Sequence, residues 1–196
     1  MLRAMLGGSF DPVHLGHLAM ARHMLEKELA DLLVIIPAWR SPHKYENSAS
    51  AEDRLAMVRL AFAGLPGVEV DDREIKRGRV SFTVDTLEEW AAEFPGDRLR
   101  LVIGQDNLAG FSGWRLPDRI QELADIVVYP RDGILPTPAA VARAGIDPGR
   151  VILVSDFEHP VSSTTVRAML AAGSLTEGQL DPAVAAFITA RGLYRM

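Results

Sequence analysis

The sequence predicts an α/β fold in which a single Rossmann-like, doubly wound parallel sheet carries helices on both faces. Six short apolar runs, typical of strands that are buried on both faces, lie at residues 2–6, 32–36, 68–70, 99–103, 126–129 and 151–154. Segments with helical spacing alternate with these runs, which favours parallel strands joined by crossover helices. We therefore expect ligands to bind at the carboxyl ends of the strands.

The helices are placed by apolar spacing and by capping residues. In the first, over residues 18–30, apolar side chains recur at helical spacing along one face. Ser50 is a suitable N-cap for the second helix and Thr83 for the third. Four more helices are expected at residues 116–123, 139–144, 163–172 and 182–190. Proline, glycine and polar residues predict long loops at residues 37–48 and 131–138.

Length and composition favour one globular domain that spans residues 1–196. The formal net charge is −5 and no basic block is present, which argues against a nucleic-acid partner. The chain has no cysteine, so a disulfide framework and a thiolate metal site are excluded. With no signal-peptide pattern and no long apolar run, we expect a cytoplasmic protein that does not enter a membrane. Composition leaves homo-oligomerisation open.

The stretch Gly7-Gly8-Ser9-Phe10-Asp11-Pro12-Val13-His14-Leu15-Gly16-His17 joins the first strand to the first helix. A glycine pair lets the backbone approach a ligand, and a helix start offers free N–H groups and a positive dipole end. His14 and His17 are three residues apart, which places both imidazoles on one side of the first helical turn. A Gly-Gly turn alone is usually only a turn, but this combination predicts a polyphosphate site.

A second candidate phosphate site follows the last strand, in Val161-Ser162-Ser163-Thr164-Thr165-Val166-Arg167. Three hydroxyl groups, the amides of a helix start and the forked guanidinium of Arg167 can all bond phosphate oxygens. Taken alone, the segment could equally be a plain N-cap followed by an exposed arginine.

Both motifs resemble signatures of the nucleotidyltransferase superfamily, His-x-Gly-His and Ile-Ser-Ser-Thr-x-Ile-Arg. The resemblance implies that His14, His17 and Arg167 are catalytic and act on the phosphates of ATP. It also implies an ATP site formed by Gly7, Gly8, Ser9, Phe10, His14, Gly16, His17, Ser162, Ser163, Thr164 and Arg167. We expect Mg²⁺ to arrive on the ATP phosphates, because no carboxylate cluster in the sequence is suited to hold it alone.

Four further elements indicate a particular branch of the superfamily: Pro42-His43-Lys44, residues 81–87, Gly104-Gln105-Asp106 and Trp114. In this order they resemble the bacterial nicotinate mononucleotide adenylyltransferase family, which makes deamido-NAD in NAD biosynthesis. The resemblance implies ATP and nicotinate mononucleotide as partners. It implies a mononucleotide site formed by Lys44, Thr83, Gly104, Asp106, Trp114 and Arg131.

Within that site the indole of Trp114 is expected to stack on the pyridine ring. Backbone N–H groups near Thr83 and Trp114 are expected to receive the nicotinate carboxylate. The sequence departs from the family pattern at Ser9, which keeps the hydroxyl of the commoner threonine, and at Gln105, where a small residue is usual.

Three other classes of protein share part of this sequence pattern, and a feature of the sequence disfavours each of them. Pantetheine-phosphate and glycerol-phosphate nucleotidyltransferases are generally shorter and lack the elements at residues 81–87 and Trp114. Class I tRNA synthetases share the histidine signature but need an anticodon module for which this chain is too short. A nucleotide sensor built on an inactive enzyme fold is disfavoured because His14, His17 and Arg167 are all present.

Overall fold

A six-stranded parallel sheet forms the centre of the molecule, in a computed structural model that describes residues 1–42, 47–131, 133–174 and 176–195. The strands are β1 Leu2–Gly8, β2 Leu32–Pro37, β3 Val68–Val70, β4 Arg98–Gly104, β5 Ala124–Tyr129 and β6 Val151–Leu153. Their spatial order is β3-β2-β1-β4-β5-β6, and every pairing is parallel. The predicted fold class is confirmed, since each of the six apolar runs forms a strand.

Nine α-helices within the described residues connect the strands or follow the last of them. They are α1 Leu15–Glu26, α2 Ala51–Ala61, α3 Arg73–Arg77, α4 Thr83–Glu93, α5 Gln105–Leu108, α6 Pro117–Leu123, α7 Pro138–Arg143, α8 Ser163–Ala171 and α9 Pro182–Arg191. None of the helices in these ranges combines the length and the apolar character needed to cross a bilayer.

Side chains that alternate along each strand divide the core into two layers. Ala4 and Leu6 of β1 join a cluster with side chains from α1, α2, α8 and α9. Met5, between them, joins a second cluster with side chains from α4, α6 and α7. Because both faces of the sheet are covered, the strand sequences are apolar almost without interruption.

Some helix predictions were wrong. The first helix runs from Leu15 to Glu26 instead of 18–30, because His14 is its N-cap and Glu28 takes a left-handed φ of 53° just beyond its end. Thr83 is the first residue of α4 rather than its cap; the N-cap is the extended Phe82. The short helices α3 and α5 were not predicted, because segments of five and four residues are too short to show helical periodicity. Ser50 does cap α2, accepting a 3.0 Å hydrogen bond from the Asp53 amide.

The topology creates one preferred place for a ligand. All strands end at the same edge of the sheet, and β1 pairs with β2 on one side and with β4 on the other. The connections therefore lead away from the β1–β4 boundary in opposite directions, which opens a crevice there. Gly8 ends β1 and Gly104 ends β4, so both glycines predicted at strand ends lie at this boundary.

Candidate active site

A cleft of about 790 Å³ opens at this edge of the sheet, a size usual for small-molecule sites. Twelve of the residues that the sequence singled out line it: Gly7, Gly8, Ser9, Phe10, His14, His17, Thr83, Gly104, Asp106, Trp114, Arg131 and Ser163. Four others are sequence neighbours of lining residues or bond to the same loop: Gly16, Ser162, Thr164 and Arg167. The remaining predicted residue, Lys44, lies outside the described residues.

The loop between β1 and α1 is fixed through its carbonyl groups. Arg54 Nη1 donates to the Ser9 carbonyl at 2.6 Å, and Arg167 Nη1 donates to the Asp11 carbonyl at the same distance. The Ser163 hydroxyl donates to the Pro12 carbonyl at 2.9 Å. These bonds join the two predicted phosphate motifs, which are about 150 residues apart in sequence, into one rigid unit. A loop held in this way is organised before any substrate arrives.

The Asp11 side chain ties the same loop to two distant segments. Its carboxylate is 4% exposed and accepts hydrogen bonds from the amides of Ser48 and Ala49 at 2.7 and 3.1 Å. The Tyr194 hydroxyl donates to it at 2.8 Å, and burial followed by the neighbouring carboxylate raises the pKa of that hydroxyl. Tyr194 therefore stays a donor, and Asp11 is a structural residue rather than a free metal ligand.

Sequence reasoning missed Arg54, which supports the site from within the core. Its side chain is 1% exposed, and Nη2 donates to the Trp39 carbonyl at 2.8 Å, on the segment that follows β2. Burial lowers the pKa of this guanidinium, against the opposing effect of the nearby Asp11 carboxylate. Sequence spacing places Arg54 on the same face of α2 as the buried Met57 and Val58, but it gives no sign of the loop that Arg54 contacts.

His14 and His17 form a stacked pair at the start of α1. Their ring centroids are 3.8 Å apart with an interplanar angle of 32°, and the Phe10 ring meets His17 edge-on at 4.9 Å. The His14 amide donates to His17 Nδ1 at 3.2 Å. Because Nδ1 accepts this bond, the proton of a neutral His17 ring lies on Nε2, which makes Nε2 a donor.

The His14 ring is buried, at 3% exposure, and neither of its nitrogens has a hydrogen-bond partner within the described part of the chain. Burial, then the positive charge of Arg131, then His159 lower the pKa of His14 to about 3. The ring is therefore neutral at physiological pH in the unliganded protein. An anion that entered here would meet two imidazoles, a guanidinium and a helix N-terminus.

Gly16, the middle residue of the histidine signature, makes room for imidazole rings. A Cβ at this position would lie 3.0 Å from His14 Cε1, His14 Nδ1 and His159 Nδ1. Packed atoms do not normally approach this closely. The His14 ring can therefore occupy its position only because residue 16 has no side chain.

The cleft is also lined by a carboxylate, an aromatic ring and the start of a helix. Asp106 extends from the end of β4, and a Cβ on Gly104 would overlap its carboxylate. The Trp114 amide donates to the Phe111 carbonyl at 2.9 Å in the unliganded chain, and the expected role of backbone N–H groups near Trp114 toward a nicotinate carboxylate stays a prediction. Thr83 begins α4, whose first amides have no partner within the helix and present a positive dipole end.

Two charged residues of the cleft were not anticipated. Arg115 lines the cleft, lies 4.9 Å above the Phe82 ring and pairs with Asp85 at 3.2 Å. Glu74 also lines the cleft, although it is buried and accepts a 2.7 Å hydrogen bond from the Thr86 hydroxyl. Burial raises the pKa of the Glu74 carboxyl, which reduces its repulsion of an anionic ligand.

A bound metal ion would have to rely on the ligand. Over the described ranges, no three His, Cys, Asp or Glu side chains are arranged to hold a metal ion. The Asp11 carboxylate, in the loop between β1 and α1, already accepts hydrogen bonds from three donors. This donor set fits a magnesium ion that is carried by phosphates and water rather than by protein ligands.

Comparison with known proteins assigns the family. The sequence model of the cytidylyltransferase-like family matches residues 5–169. A Pseudomonas syringae pv. tomato protein named "Probable nicotinate-nucleotide adenylyltransferase" is 42% identical, with 97% of this chain and 92% of the relative aligned. A Gemmatimonas aurantiaca protein of the same name is 39% identical, with 100% of this chain and 93% of the relative aligned.

The chain belongs to the nicotinate-nucleotide adenylyltransferase family. The fold agrees with that of a Plasmodium falciparum nicotinic acid mononucleotide adenylyltransferase that was solved in complex with NaAD. The TM-score is 0.82 at 14% identity, with 98% of this chain and 96% of the other chain covered. At this identity the likeness concerns the fold alone, and it agrees with the predicted Rossmann-like architecture of the nicotinate-nucleotide adenylyltransferases.

Proposed function

We propose that this chain transfers AMP from ATP to the phosphate of nicotinate mononucleotide, releasing pyrophosphate and forming deamido-NAD. One observation supports this proposal above all. A single cleft is lined both by groups suited to phosphates, His14 and His17, and by residues that the sequence assigns to the mononucleotide, Asp106, Trp114 and Arg131. These groups suit a triphosphate and a flat-ring mononucleotide, in agreement with the family.

The reaction needs no nucleophile from the protein. A phosphate oxygen of nicotinate mononucleotide attacks the α-phosphorus of ATP, and the bond from that phosphorus to the pyrophosphate oxygen breaks. The protein has to align two anions and neutralise the charge that spreads over the transferring phosphoryl group. Groups that are held rigidly before the reaction do this most effectively, because they do not have to reorganise.

His17 is the principal donor to the transferring phosphate. The bond from the His14 amide to its Nδ1 fixes the ring and leaves Nε2–H as the donor. His14 lies against it, and the approach of phosphate anions favours its protonation in spite of burial. The pair thus supplies one fixed donor and one group whose charge responds to the substrate.

Ser162, Ser163, Thr164 and Arg167 serve the β- and γ-phosphates, directly or through the loop that they hold. Arg167 bonds the Asp11 carbonyl and, at 3.3 Å, the Thr164 hydroxyl, so it couples the second motif to the first. The family resemblance, and no structural observation, assigns Lys44 to the mononucleotide phosphate. Mg²⁺ would reach the site on the ATP phosphates and neutralise part of their charge.

The start of α4 is the group best placed to receive the nicotinate carboxylate. The first amides of a helix are unpaired within it and carry a partial positive charge, and Thr83 lies at this position in the cleft. Trp114 provides an aromatic face for the pyridine ring. A carboxamide would bring its own NH₂ donors toward these amides, which disfavours nicotinamide mononucleotide.

The proposal is tested by incubating the protein with ATP, Mg²⁺ and nicotinate mononucleotide and identifying the product by mass. Deamido-NAD and pyrophosphate in equal amounts are expected, and His17→Ala should remove most of the activity. A nucleotide sensor with this fold would bind ATP without releasing pyrophosphate, so that result would overturn the proposal. The cytoplasmic location and the single-domain organisation remain predictions.

A further inference from the structure

His159 lies next to the histidine pair although it is far from it in sequence. It belongs to the segment between β6 and α8, and its Nδ1 is 3.0 Å from the point that a Cβ of Gly16 would occupy. His14 Nδ1 is also 3.0 Å from that point. The two ring nitrogens are therefore at most about 6 Å apart.

The segment that carries His159 is anchored on both sides of this residue. Before it, Asp156 pairs with Lys27 at 2.5 Å and approaches His23 Nε2 at 3.2 Å, and the Phe157 ring meets His23 and Tyr129 edge-on. After it, Val161 is buried in the core, and the Ser163 hydroxyl donates to the Pro12 carbonyl in the loop between β1 and α1. The position of His159 is thus set by contacts with α1, β5 and the loop.

The Nδ1 atom of His159 is buried and has no hydrogen-bond partner within the described residues. Native proteins leave few buried polar atoms unpaired, and those that remain often await a ligand. The neighbouring groups indicate which ligand would fit: the His14 ring lies beside His159 at the N-terminus of α1, and His14 is itself close to Arg131, so this region favours an anion.

We propose that His159 is a third imidazole of the polyphosphate site and donates a hydrogen bond from Nδ1 to the pyrophosphate portion of ATP. This inference rests on the proposed function. We assign His159 to the β- and γ-phosphates rather than to the α-phosphate because it precedes Ser162 and Ser163 on the same segment, and the proposed function gives those two serines to the β- and γ-phosphates. The Nδ1–H tautomer is required, with Nε2 unprotonated when the ring is neutral.

The first test measures binding of inorganic pyrophosphate to the unliganded protein by calorimetry. His159→Ala should weaken binding about tenfold or more, the effect of one charge-assisted hydrogen bond and equal to about 1.4 kcal/mol. His159→Asn places an amide donor near the position of Nδ1 and should restore most of the affinity. Ser155→Ala, an exposed position on the same segment, is the control and should bind pyrophosphate as the wild type does.

The second test measures kinetics with both substrates. His159→Ala should raise the KM for ATP and leave the KM for nicotinate mononucleotide within about twofold. Unchanged pyrophosphate affinity would overturn the inference, and so would equal increases in both KM values, which would indicate a displaced segment. Failure of His159→Asn to recover affinity, together with a lower Tm, would show that the ring is only structural.

Two further observations distinguish a failure of this inference from a failure of the proposed function. Pyrophosphate added to the wild type should shift the ¹⁵N resonances of the His159 ring, a readout that needs no variant to fold. If the wild type forms no deamido-NAD but His159 still governs pyrophosphate binding, the proposed function fails and this inference stands. If the wild type is active and His159→Ala binds pyrophosphate normally, only this inference fails.

Discussion

Replacement of Gly16 by alanine should lower the activity far more than the stability. The added Cβ would lie 3.0 Å from atoms of His14 and His159, so at least one ring must move by a few tenths of an ångström. Overpacking of this kind costs about 1–3 kcal/mol, whereas alanine gains about 1 kcal/mol over glycine inside a helix. The expected net destabilisation is about 0–2 kcal/mol. For a chain of this length, that lowers Tm by at most about 8 °C.

The effect on catalysis should be much larger. Displacement of a group that stabilises the transition state, by less than the width of an atom, costs on the order of 10²-fold in rate. We expect kcat for Gly16→Ala to fall by about that factor, measured by pyrophosphate release at saturating substrates. Gly96→Ala is the matched control, because its Cβ would meet no atom within 4 Å. If Gly16→Ala keeps kcat within threefold of the wild type, the histidine geometry does not limit the reaction and this reasoning is refuted.

Four other variants probe separate parts of the account. His17→Ala should lower kcat by roughly 10²- to 10⁴-fold with an unchanged Tm, measured by pyrophosphate release; activity within threefold would remove its role. Lys44→Ala should raise the KM for the mononucleotide more than the KM for ATP, and equal increases would place Lys44 elsewhere. Trp114→Ala should lower kcat/KM for the acid and the amide mononucleotide alike, because ring stacking does not distinguish them; a changed ratio would contradict this. The pKa of His14 is about 3 in the folded protein and 6.5 in the reference state, so the neutral form stabilises the fold above pH 6.5 and this contribution is lost as the pH falls toward 3. Between pH 7.5 and 5 the wild type should lose about 2 kcal/mol more stability in urea unfolding than His14→Asn, and equal losses would show that His14 is not buried in its neutral form.

The fold could be predicted from sequence because its strands are short and apolar throughout. Val127 and Val128 are both buried, one on each face of the sheet. A strand of this kind shows no alternation of apolar and polar residues, which would have suggested an exposed face. The start of α1 was placed three residues too late, since capping by His14 depends on a bond from its own amide to His17. Histidine is not a preferred capping residue, so propensity gave no indication of this arrangement.

The candidate site was predictable where motifs are local and was missed where it depends on tertiary contacts. The stretch from Gly7 to His17 carries its candidate residues close together in sequence, and six residues of this stretch line one cleft. Arg54 and His159 reach that loop from other elements, and their spacing in sequence carries no sign of it. The phosphate role of Arg167 stays a prediction, and the structure adds a contact that only the folded chain reveals, from its guanidinium to the Asp11 carbonyl.

Substrate preference is the most direct test of the central claim. The measurement is kcat/KM for nicotinate mononucleotide and for nicotinamide mononucleotide, at saturating ATP and Mg²⁺, with each dinucleotide product identified by mass. Two mismatched buried polar groups cost about 1–3 kcal/mol each, so the acid should be preferred on the order of 10²-fold or more. Equal use of the two mononucleotides, or the absence of any dinucleotide, would contradict the account.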